Sequence, residues 1–290
     1  MRKLSSVLVL SALACAALTR AEEKTAETSA PAASSYMENR AGLNMNMIWI
    51  EGGAFRMGSP ESEVGRDKDE GPTHTVTLPG FWMGATEVAQ AQYEALMGNN
   101  PSFNKGENHP VECVSWENAM EFCRKLSDAA GTTYTLPSEA QWEYACRAGS
   151  SSRFCFGDSD RQLGDYAWHG ENAGKQTHPV GKKKPNAWGL YDMHGNVWEW
   201  CLDLGGPYES DSTHGAKGAS KGGSEAVSKH GGGGGSEGGS KGSSAWTCHL
   251  MRGGSWLNDP RKCRSAYRVG LSPDTSVGVG FRVARPGVLR

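Results

Sequence analysis

The sequence lacks the features on which several functional classes depend. It contains 30 Lys and Arg against 32 Asp and Glu, a formal net charge of −2. This balance argues against a nucleic-acid partner, which normally requires a basic face. No CxxC pair and no Cys/His cluster with zinc spacing occurs, so a structural zinc site is not expected. There is also no HExxH pattern and no glycine-rich phosphate loop between a strand and a helix.

A hydrophobic run of membrane-spanning length is missing as well. Residues 4–18 are apolar and follow two basic residues, but this run is too short to span a bilayer comfortably. Residues 19–21 supply a small-x-small cleavage site, so residues 1–21 are predicted to be a secretory signal peptide. Lipoprotein cleavage before Cys15 is the less favoured alternative, because Ala12 stands where a leucine is usual. No transmembrane segment is expected, and the mature protein is expected to be secreted or periplasmic.

Glycine, tryptophan and cysteine, by contrast, are well represented. The 39 glycines and 10 tryptophans indicate a loop-rich fold with large aromatic anchors rather than a helical bundle. Export would place the chain in a compartment that permits disulfides. Seven of the 8 cysteines follow Cys15, and an odd number leaves at least one thiol unpaired or bonded to another chain.

Two segments differ in composition from the rest of the chain. Residues 22–43 are rich in Glu, Ala, Ser and Thr and are predicted to form a flexible leader. Residues 205–244 are rich in Gly, Ser and Lys and cannot bury enough apolar area to fold. This second segment is predicted to be a disordered insert within a domain, because the sequence on both sides of it has structured character.

Periodicity predicts strands first and helices after them. Alternating apolar residues predict a strand, a turn and a strand at residues 45–59, and the same pattern recurs at residues 74–84. Three helices follow: one from Glu87 to Gly98, one with Ser115 as N-cap and Gly131 just past its end, and one between Ser138 and Gly149.

Two cysteines and two glutamates on these helices have alternative interpretations. Cys123 and Cys146 lie among apolar or aromatic positions, where a buried small hydrophobe is favoured and a disulfide is the alternative. Glu139 and Glu143 lie four apart on one helix face. They are predicted to serve helix-end electrostatics and surface pairing rather than acid/base catalysis.

The segment GLYDMHGNVWEW has spacing suited to a calcium loop. Asp192 and Glu199 are separated by Gly195 and a short loop that exposes backbone carbonyls. Calcium takes six to eight hard oxygen ligands, and such a loop supplies several. Acidic residues around a glycine turn are also common turn formers, and the spacing alone does not exclude that interpretation.

Ordered blocks of the sequence resemble the formylglycine-generating enzyme family, also called the sulfatase-modifying factor family. In chain order the blocks are EGGAFRMGS, LPGFWMGATEVAQAQYEALMG, HPVECVSWENAMEFCRKLS, LPSEAQWEYACRAG, PNAWGLYDMHGNVWEWC, RGGSW and GFRVA. Residues 44–288, outside the insert, are therefore predicted to be one such domain. The resemblance implies a single compact α+β domain with much irregular structure, a variant of the C-type-lectin-like fold.

The resemblance also implies bound calcium. Carried over by position, the ligands would be the side chains of Asp192 and Glu199 and the backbone carbonyls of Gly195 and Val197. A second calcium site of the family lacks one of its ligands here, because Trp168 stands where the family has an asparagine.

The resemblance places the family's active-site loop after RGGSW. Family enzymes use two cysteines there, with O2 and in many members a copper ion, to oxidise a sulfatase cysteine to formylglycine; paired thiolates suit Cu(I). Here Asn258 occupies the first cysteine position. Cys263 has the spacing of the second cysteine, yet an alignment anchored on Arg264 and Arg268 places it at a scaffold position. Cys263 and Ser255 are the candidate catalytic residues, although a turn role is favoured for Ser255.

This chain also departs from the disulfide pattern of the family. The family's structural disulfides would involve Cys123 and Cys146, but the expected partners align with Val283 and Ser265. A bond between Cys146 and Cys263 is an alternative that would leave Cys263 without chemistry.

Two functions remain open from the sequence. The favoured one is a secreted, calcium-stabilised domain that lacks the oxidase activity and binds a peptide, glycan or partner protein in the former substrate groove. The alternative is an active copper- and O2-dependent oxidase of sulfatase cysteines, with Cys263 acting beside another cysteine such as Cys248. A different oxidation chemistry within the same superfamily is the third possibility.

Overall fold

The computed structural model describes residues 34–208, 248–274 and 278–287, so the expected signal peptide lies outside the described residues. The strands are β1 (Ser35–Glu38), β2 (Met45–Ile50), β3 (Gly53–Met57), β4 (His74–Leu78), β5 (Phe81–Gly84), β6 (Trp198–Leu204), β7 (His249–Arg252), β8 (Arg268–Leu271), β9 (Val279–Gly280) and β10 (Ala284–Pro286). The α-helices are α1 (Gln90–Met97), α2 (Trp116–Ala130), α3 (Glu139–Arg147) and α4 (Leu163–Tyr166). Short 3-10 helices occupy Arg40–Gly42, Lys68–Glu70, Asp160–Gln162 and Pro260–Cys263. None of the helices described here combines the length and apolar character needed to cross a membrane.

Two four-stranded sheets and one hairpin make up the β part of the fold. The first sheet has the order β1-β2-β5-β10, with antiparallel neighbours throughout, and the second has the order β8-β7-β6-β9, in which β6 and β9 run parallel. The hairpin pairs β3 with β4. The four predicted strands at residues 45–59 and 74–84 are confirmed as β2 to β5. With few helices and curled sheets, the α+β prediction is confirmed as well.

The helix predictions are confirmed for α2 and α3, whereas the predicted start of α1 is three residues too early. Ser115 accepts a hydrogen bond from the backbone N–H of Asn118 and caps α2, which ends before Gly131 at φ 67°. Residues 138–141 form the predicted capping box of α3. The backbone of Val88 instead bonds to Phe281 and Val111, so this stretch is extended and α1 begins only at Gln90.

Apolar packing fixes the helices on the sheets. The rings of Tyr93 and Phe122 stack with centroids 5.8 Å apart, and Phe281 closes this cluster edge-on at 5.3 Å from Phe122. Cys123 lies in the same cluster and Cys146 lies in a second one with Trp142, both as buried free thiols. Both cysteines therefore lie at buried apolar positions, as the favoured interpretation of the sequence predicted.

The predicted boundaries of the leader and of the insert both differ from those in the structure. Residues 35–38 of the expected leader form β1, which pairs with β2. Residues 205–208 of the expected insert are described and lie in the fold. The backbone N–H of Gly205 bonds to Cys248 and the ring of Tyr208 lies against His74. Both boundaries came from composition, and a few tertiary contacts are enough to order a polar segment. Residues 209–244 of the insert fall outside the described residues.

Glu139 and Glu143 are buried ion-pair partners, and the prediction of surface pairing is wrong for both. Their exposed fractions are 5% and 0%. Arg252 contacts both carboxylates, while Arg147 and Arg268 each add a second bond to one of them. Helix periodicity placed the two carboxylates on one face but could not show that Arg252 and Arg268, from elsewhere in the chain, cover it together with Arg147 of the same helix.

Candidate functional site

Arg252, the last residue of β7, fixes the position of the loop that follows this strand. This side chain is fully buried and donates to Glu139 at 3.0 Å, to Glu143 at 2.5 Å and to the carbonyls of Ser265 and Tyr267. The guanidinium thus connects α3 to the chain on both sides of the loop. Bidentate and multidentate arginine contacts of this kind fix geometry as well as charge.

Ser255 and Asn258 form a closed turn at the position of the family's active-site loop. The Ser255 hydroxyl donates to Asn258 Oδ1 at 2.7 Å, and the backbone N–H of Asn258 donates to the Ser255 carbonyl at 2.9 Å. Ser255 is 1% exposed. Its hydroxyl proton is therefore engaged by the side chain that replaces the first cysteine, as expected for a turn residue.

Cys263 lies in the core and not at the loop surface. It is 0% exposed and packs with Phe154, Leu163 and Ala167. Burial raises the pKa of its thiol, and the charge of Asp259 raises it further. A catalytic or copper-binding cysteine acts as the thiolate, which this environment disfavours. Together with the amide at position 258, Cys263 does not provide the two-thiolate donor set that Cu(I) would need.

The structure does not bring Cys248 beside Cys263. Cys248 stands immediately before β7 and Cys263 packs against Gly254, beyond the other end of that strand. At about 3.3 Å per residue, β7 spans about 13 Å. Both are free thiols, and so are the other five cysteines of the described residues.

Cys146 and Cys263 both contact the imidazole of His194. Cys146 Sγ lies 3.8 Å from each ring nitrogen, and the Cys263 carbonyl lies 2.8 Å from Nδ1. The backbone N–H of Cys155 donates to Nε2, which leaves Nδ1 to carry the proton. Burial lowers the pKa of His194 to about 4. A neutral imidazole with a hydrogen bond on each ring nitrogen supports the loop and does not activate a thiol.

The predicted calcium loop carries one carboxylate oxygen without a protein partner. Asp192 is 1% exposed and adopts a left-handed backbone conformation at φ 59°. Its Oδ2 accepts from the backbone N–H of Gly181 at 2.7 Å, whereas its Oδ1 has no hydrogen-bond partner. Burial raises the pKa of this carboxyl to about 6.

Glu199 has protein partners on both of its carboxylate oxygens. Arg282 donates to them at 2.6 and 2.7 Å, and the indole of Trp142 donates to one at 2.8 Å. A guanidinium therefore already balances the charge of Glu199. Gly195 and Val197 lie in the loop between the two predicted acidic ligands, and both residues are buried.

Glu87 is a third carboxylate at this place, and the sequence did not reveal it. It is 1% exposed, and neither carboxylate oxygen accepts from a donor of the protein, although its protonated form can donate to the neighbouring Asp192 carboxylate. Burial, followed by the charges of Asp192 and Glu199, raises the pKa of its carboxyl. More than a hundred residues separate Glu87 from Asp192, so no local spacing could have indicated their proximity. No set of three or more His, Cys, Asp or Glu arranged as metal ligands occurs among the described residues.

At the place where the resemblance puts the second calcium site, the Trp168 ring lies against a cationic side chain of the protein. Lys183 Nζ lies 3.8 Å from the Trp168 ring centroid and donates to the Gly164 carbonyl at 2.5 Å. The imidazole of His178 stacks on the ring with centroids 3.7 Å apart. An ammonium group over an indole is a favourable cation–π arrangement. The replacement of asparagine by tryptophan thus comes with a cationic side chain from the protein.

Comparison with known proteins gives one family over nearly the whole described region. The sulfatase-modifying factor enzyme 1-like domain matches residues 32–286. The chain is 32% identical over 208 residues to the chaperone protein LppX of Paenibacillus barcinonensis, covering 54% of this chain and 71% of that protein. It is 27% identical over 307 residues to the formylglycine-generating enzyme of Mus musculus, covering 82% and 74%. The solved structure of PvdO from Pseudomonas aeruginosa superposes with a TM-score of 0.72 at 28% identity, covering 88% of this chain and 99% of that one.

Proposed function

The chain belongs to the sulfatase-modifying factor enzyme 1-like family, and from that membership we propose that it is an exported member without formylglycine-generating oxidase activity. It acts as a binding or accessory module. Its ligand is a peptide, a glycan or a partner protein that enters the groove beside the RGGSW loop. A fold can keep its scaffold while its site chemistry changes, so membership does not by itself confer the activity.

The state of the two active-site positions carries this proposal. Asn258 holds the Ser255 hydroxyl by a hydrogen bond of 2.7 Å, and Cys263 is fully buried in an apolar cluster. An amide cannot form a mixed disulfide, and a buried thiol is a poor nucleophile. A relative that shares 32% identity with this chain bears the name of a chaperone, which is a precedent for an accessory role on this scaffold.

Peptide oxidation tests the absence of oxidase activity. Purified full-length protein, with and without Cu(I), is incubated with a CxPxR peptide, and mass spectrometry follows conversion of the peptide cysteine to an aldehyde. We expect none in either condition, while an active formylglycine-generating enzyme in parallel gives full conversion. Aldehyde formation that disappears in Cys263→Ser but persists in Cys123→Ser, an equally buried control thiol, would show that the protein is an oxidase.

We further propose that a calcium ion stabilises the loop at Asp192. Three buried carboxylates, those of Glu87, Asp192 and Glu199, lie near a single guanidinium, Arg282. Buried charge without a partner is costly, and a hard cation with oxygen ligands relieves it. Asp192 Oδ1 and the Glu87 oxygens are the unpartnered donors, and Gly195 and Val197 add backbone carbonyls as the family resemblance implies.

Metal analysis and thermal denaturation test the calcium proposal. We expect bound calcium in the purified protein and a lower Tm after chelation, with Tm restored by added calcium. Asp192→Asn and Glu87→Gln should lose the metal and the response to chelation. Glu121→Gln, an exposed glutamate on α2, is the matched control and should keep both. A wild-type protein without bound metal and with unchanged Tm after chelation would mean that Glu87 and Asp192 share a proton instead.

A further inference from the structure

We propose that the ammonium group of Lys183 takes the place of a metal ion beside Trp168. The domain then carries a cation of its own where the family resemblance implies a second calcium. This cation does not depend on the calcium proposed at Asp192, because the chain itself supplies it.

The backbone carbonyls around Trp168 already accept hydrogen bonds from the protein. Five of them are engaged in this way, those of residues 164, 165, 167, 168 and 169. The donors are the Lys183 ammonium, the backbone N–H groups of Lys184, Asn172 and Asn196, and the side-chain amide of Asn172. A calcium ion takes six to eight oxygen ligands, and here the chain's own N–H donors occupy the carbonyls that such an ion would need.

The side chains of the same segment do not supply the missing ligands. Trp168 offers an indole, which has no oxygen. Asn172 Oδ1 accepts from a backbone N–H at 2.8 Å. Asp165 pairs with Lys184 at 2.9 Å at the surface, and Glu171 is exposed. These residues therefore do not fit a divalent cation.

The Lys183 ammonium is bound from two sides by groups that attract a cation. Its Nζ atom lies 3.8 Å from the centroid of the Trp168 ring and donates to the carbonyl of Gly164. The imidazole of His178 stacks on the same ring with centroids 3.7 Å apart. One face of the ring cannot hold both groups at these distances, so the indole lies between them. The π face of an indole and a carbonyl oxygen both carry partial negative charge, which stabilises an ammonium group.

The charge of Lys183 also reaches the buried imidazole of His169. Burial lowers the pKa of this imidazole; the charge of Glu171 opposes the shift, and the charge of Lys183 adds to it. Like charges repel strongly at short range where water is excluded. A divalent cation beside Trp168 would meet this repulsion, so the ammonium and a metal ion exclude each other.

The segment that Lys183 stabilises contacts the loop that carries Asn258. The backbone N–H of Gly170 donates to the Asn258 carbonyl at 2.8 Å. The ring of Trp168 packs in one apolar cluster with Val197 and Trp256. Lys183 therefore supports this side of the loop with a charge that neither chelation nor a change in metal supply removes.

Thermal denaturation in the presence of a chelator tests the role of the charge, because chelation removes any contribution from a metal at Asp192. Lys183→Met keeps an unbranched side chain without the ammonium, and its Tm should fall by about 5 °C. Lys183→Arg keeps a cation that stacks well on an indole and should recover most of this loss. Lys184→Met is the matched control, because Lys184 is 62% exposed and pairs with an exposed carboxylate. Its Tm should stay close to that of the wild type.

Calcium content tests the replacement itself. We expect no more than one calcium ion per chain in the wild type and none in Asp192→Asn. Two ions per chain, or an ion retained by Asp192→Asn, would overturn the replacement. The same conclusion would follow if Lys183→Met were as stable as Lys184→Met. A wild type without calcium would instead refute the metal proposed at Asp192 and would agree with Lys183 as the cation beside Trp168.

Discussion

Replacement of Arg252 by leucine should destabilise the whole domain far more than the loss of a surface ion pair. The side chain is 0% exposed and contacts two buried carboxylates, those of Glu139 and Glu143. Removing one partner of a buried ion pair costs about 3 to 5 kcal/mol, because it leaves charge without compensation. For a domain of this size each kcal/mol lowers Tm by about 2 to 4 °C, so we expect Tm to fall by about 10 °C.

The measurement is the unfolding transition followed by circular dichroism at pH 7, by heat and by urea. Arg124→Leu is the control, because Arg124 forms two ion pairs on α2 with 59% of its side chain exposed. Exposed pairs are screened by solvent and contribute little to stability, so the Tm of this variant should change far less than that of Arg252→Leu. A wild-type midpoint for Arg252→Leu, or a change no larger than that of Arg124→Leu, would refute the argument that buried arginines support the loop.

Two further predictions concern groups around the loop. The contribution of His194 to stability should fall by up to about 3 kcal/mol between pH 6.5 and pH 4, because the unfolded chain then protonates His194 while burial keeps the folded pKa at about 4. The buried carboxyl of Asp192, with a pKa raised to about 6, acts in the opposite direction over this range, so the contribution of His194 is measured as the difference between wild type and His194→Gln. In His194→Gln, which can keep both hydrogen bonds, urea titrations across this range should show a smaller loss, and an unchanged loss would contradict the assignment. Maleimide labelling with mass spectrometry should modify the partly exposed Cys248 first in the native protein, because burial raises the pKa of the Cys113 and Cys155 thiols and slows their reaction. Cys263 should react only after unfolding, and its rapid native labelling would place it at the surface.

The local elements could be predicted from the sequence because their causes are local. The N-cap at Ser115 and the capping box at residues 138–141 depend on contacts within four residues, and both α2 and α3 begin where these signals lie. The four early strands followed from alternation, as in β4, where Val76 and Leu78 are buried. Pairing between strands is not local, and so the sequence did not indicate that β2 and β3 lie in different sheets.

Which buried carboxylates lie together could be predicted from the sequence within a continuous segment but not between distant segments. Asp192 was named from the spacing of its own loop, whereas Glu87 approaches it from a segment far away in the chain. The same limit applies to Glu139 and Glu143, whose helix spacing was correct and whose burial depends on Arg252. Arginine is common at surfaces, so its sequence context gives little indication that it will be fully buried against two carboxylates.

The arginines of the segment 252–268 explain how the loop keeps its shape without a cysteine at position 258. Arg252, Arg264 and Arg268 are almost fully buried, and each pairs with carboxylates from other parts of the chain. Their contacts fix both ends of the loop through charge and hydrogen bonds, none of which involves a thiol. Position 258 can therefore hold an amide instead of a cysteine without loss of the loop.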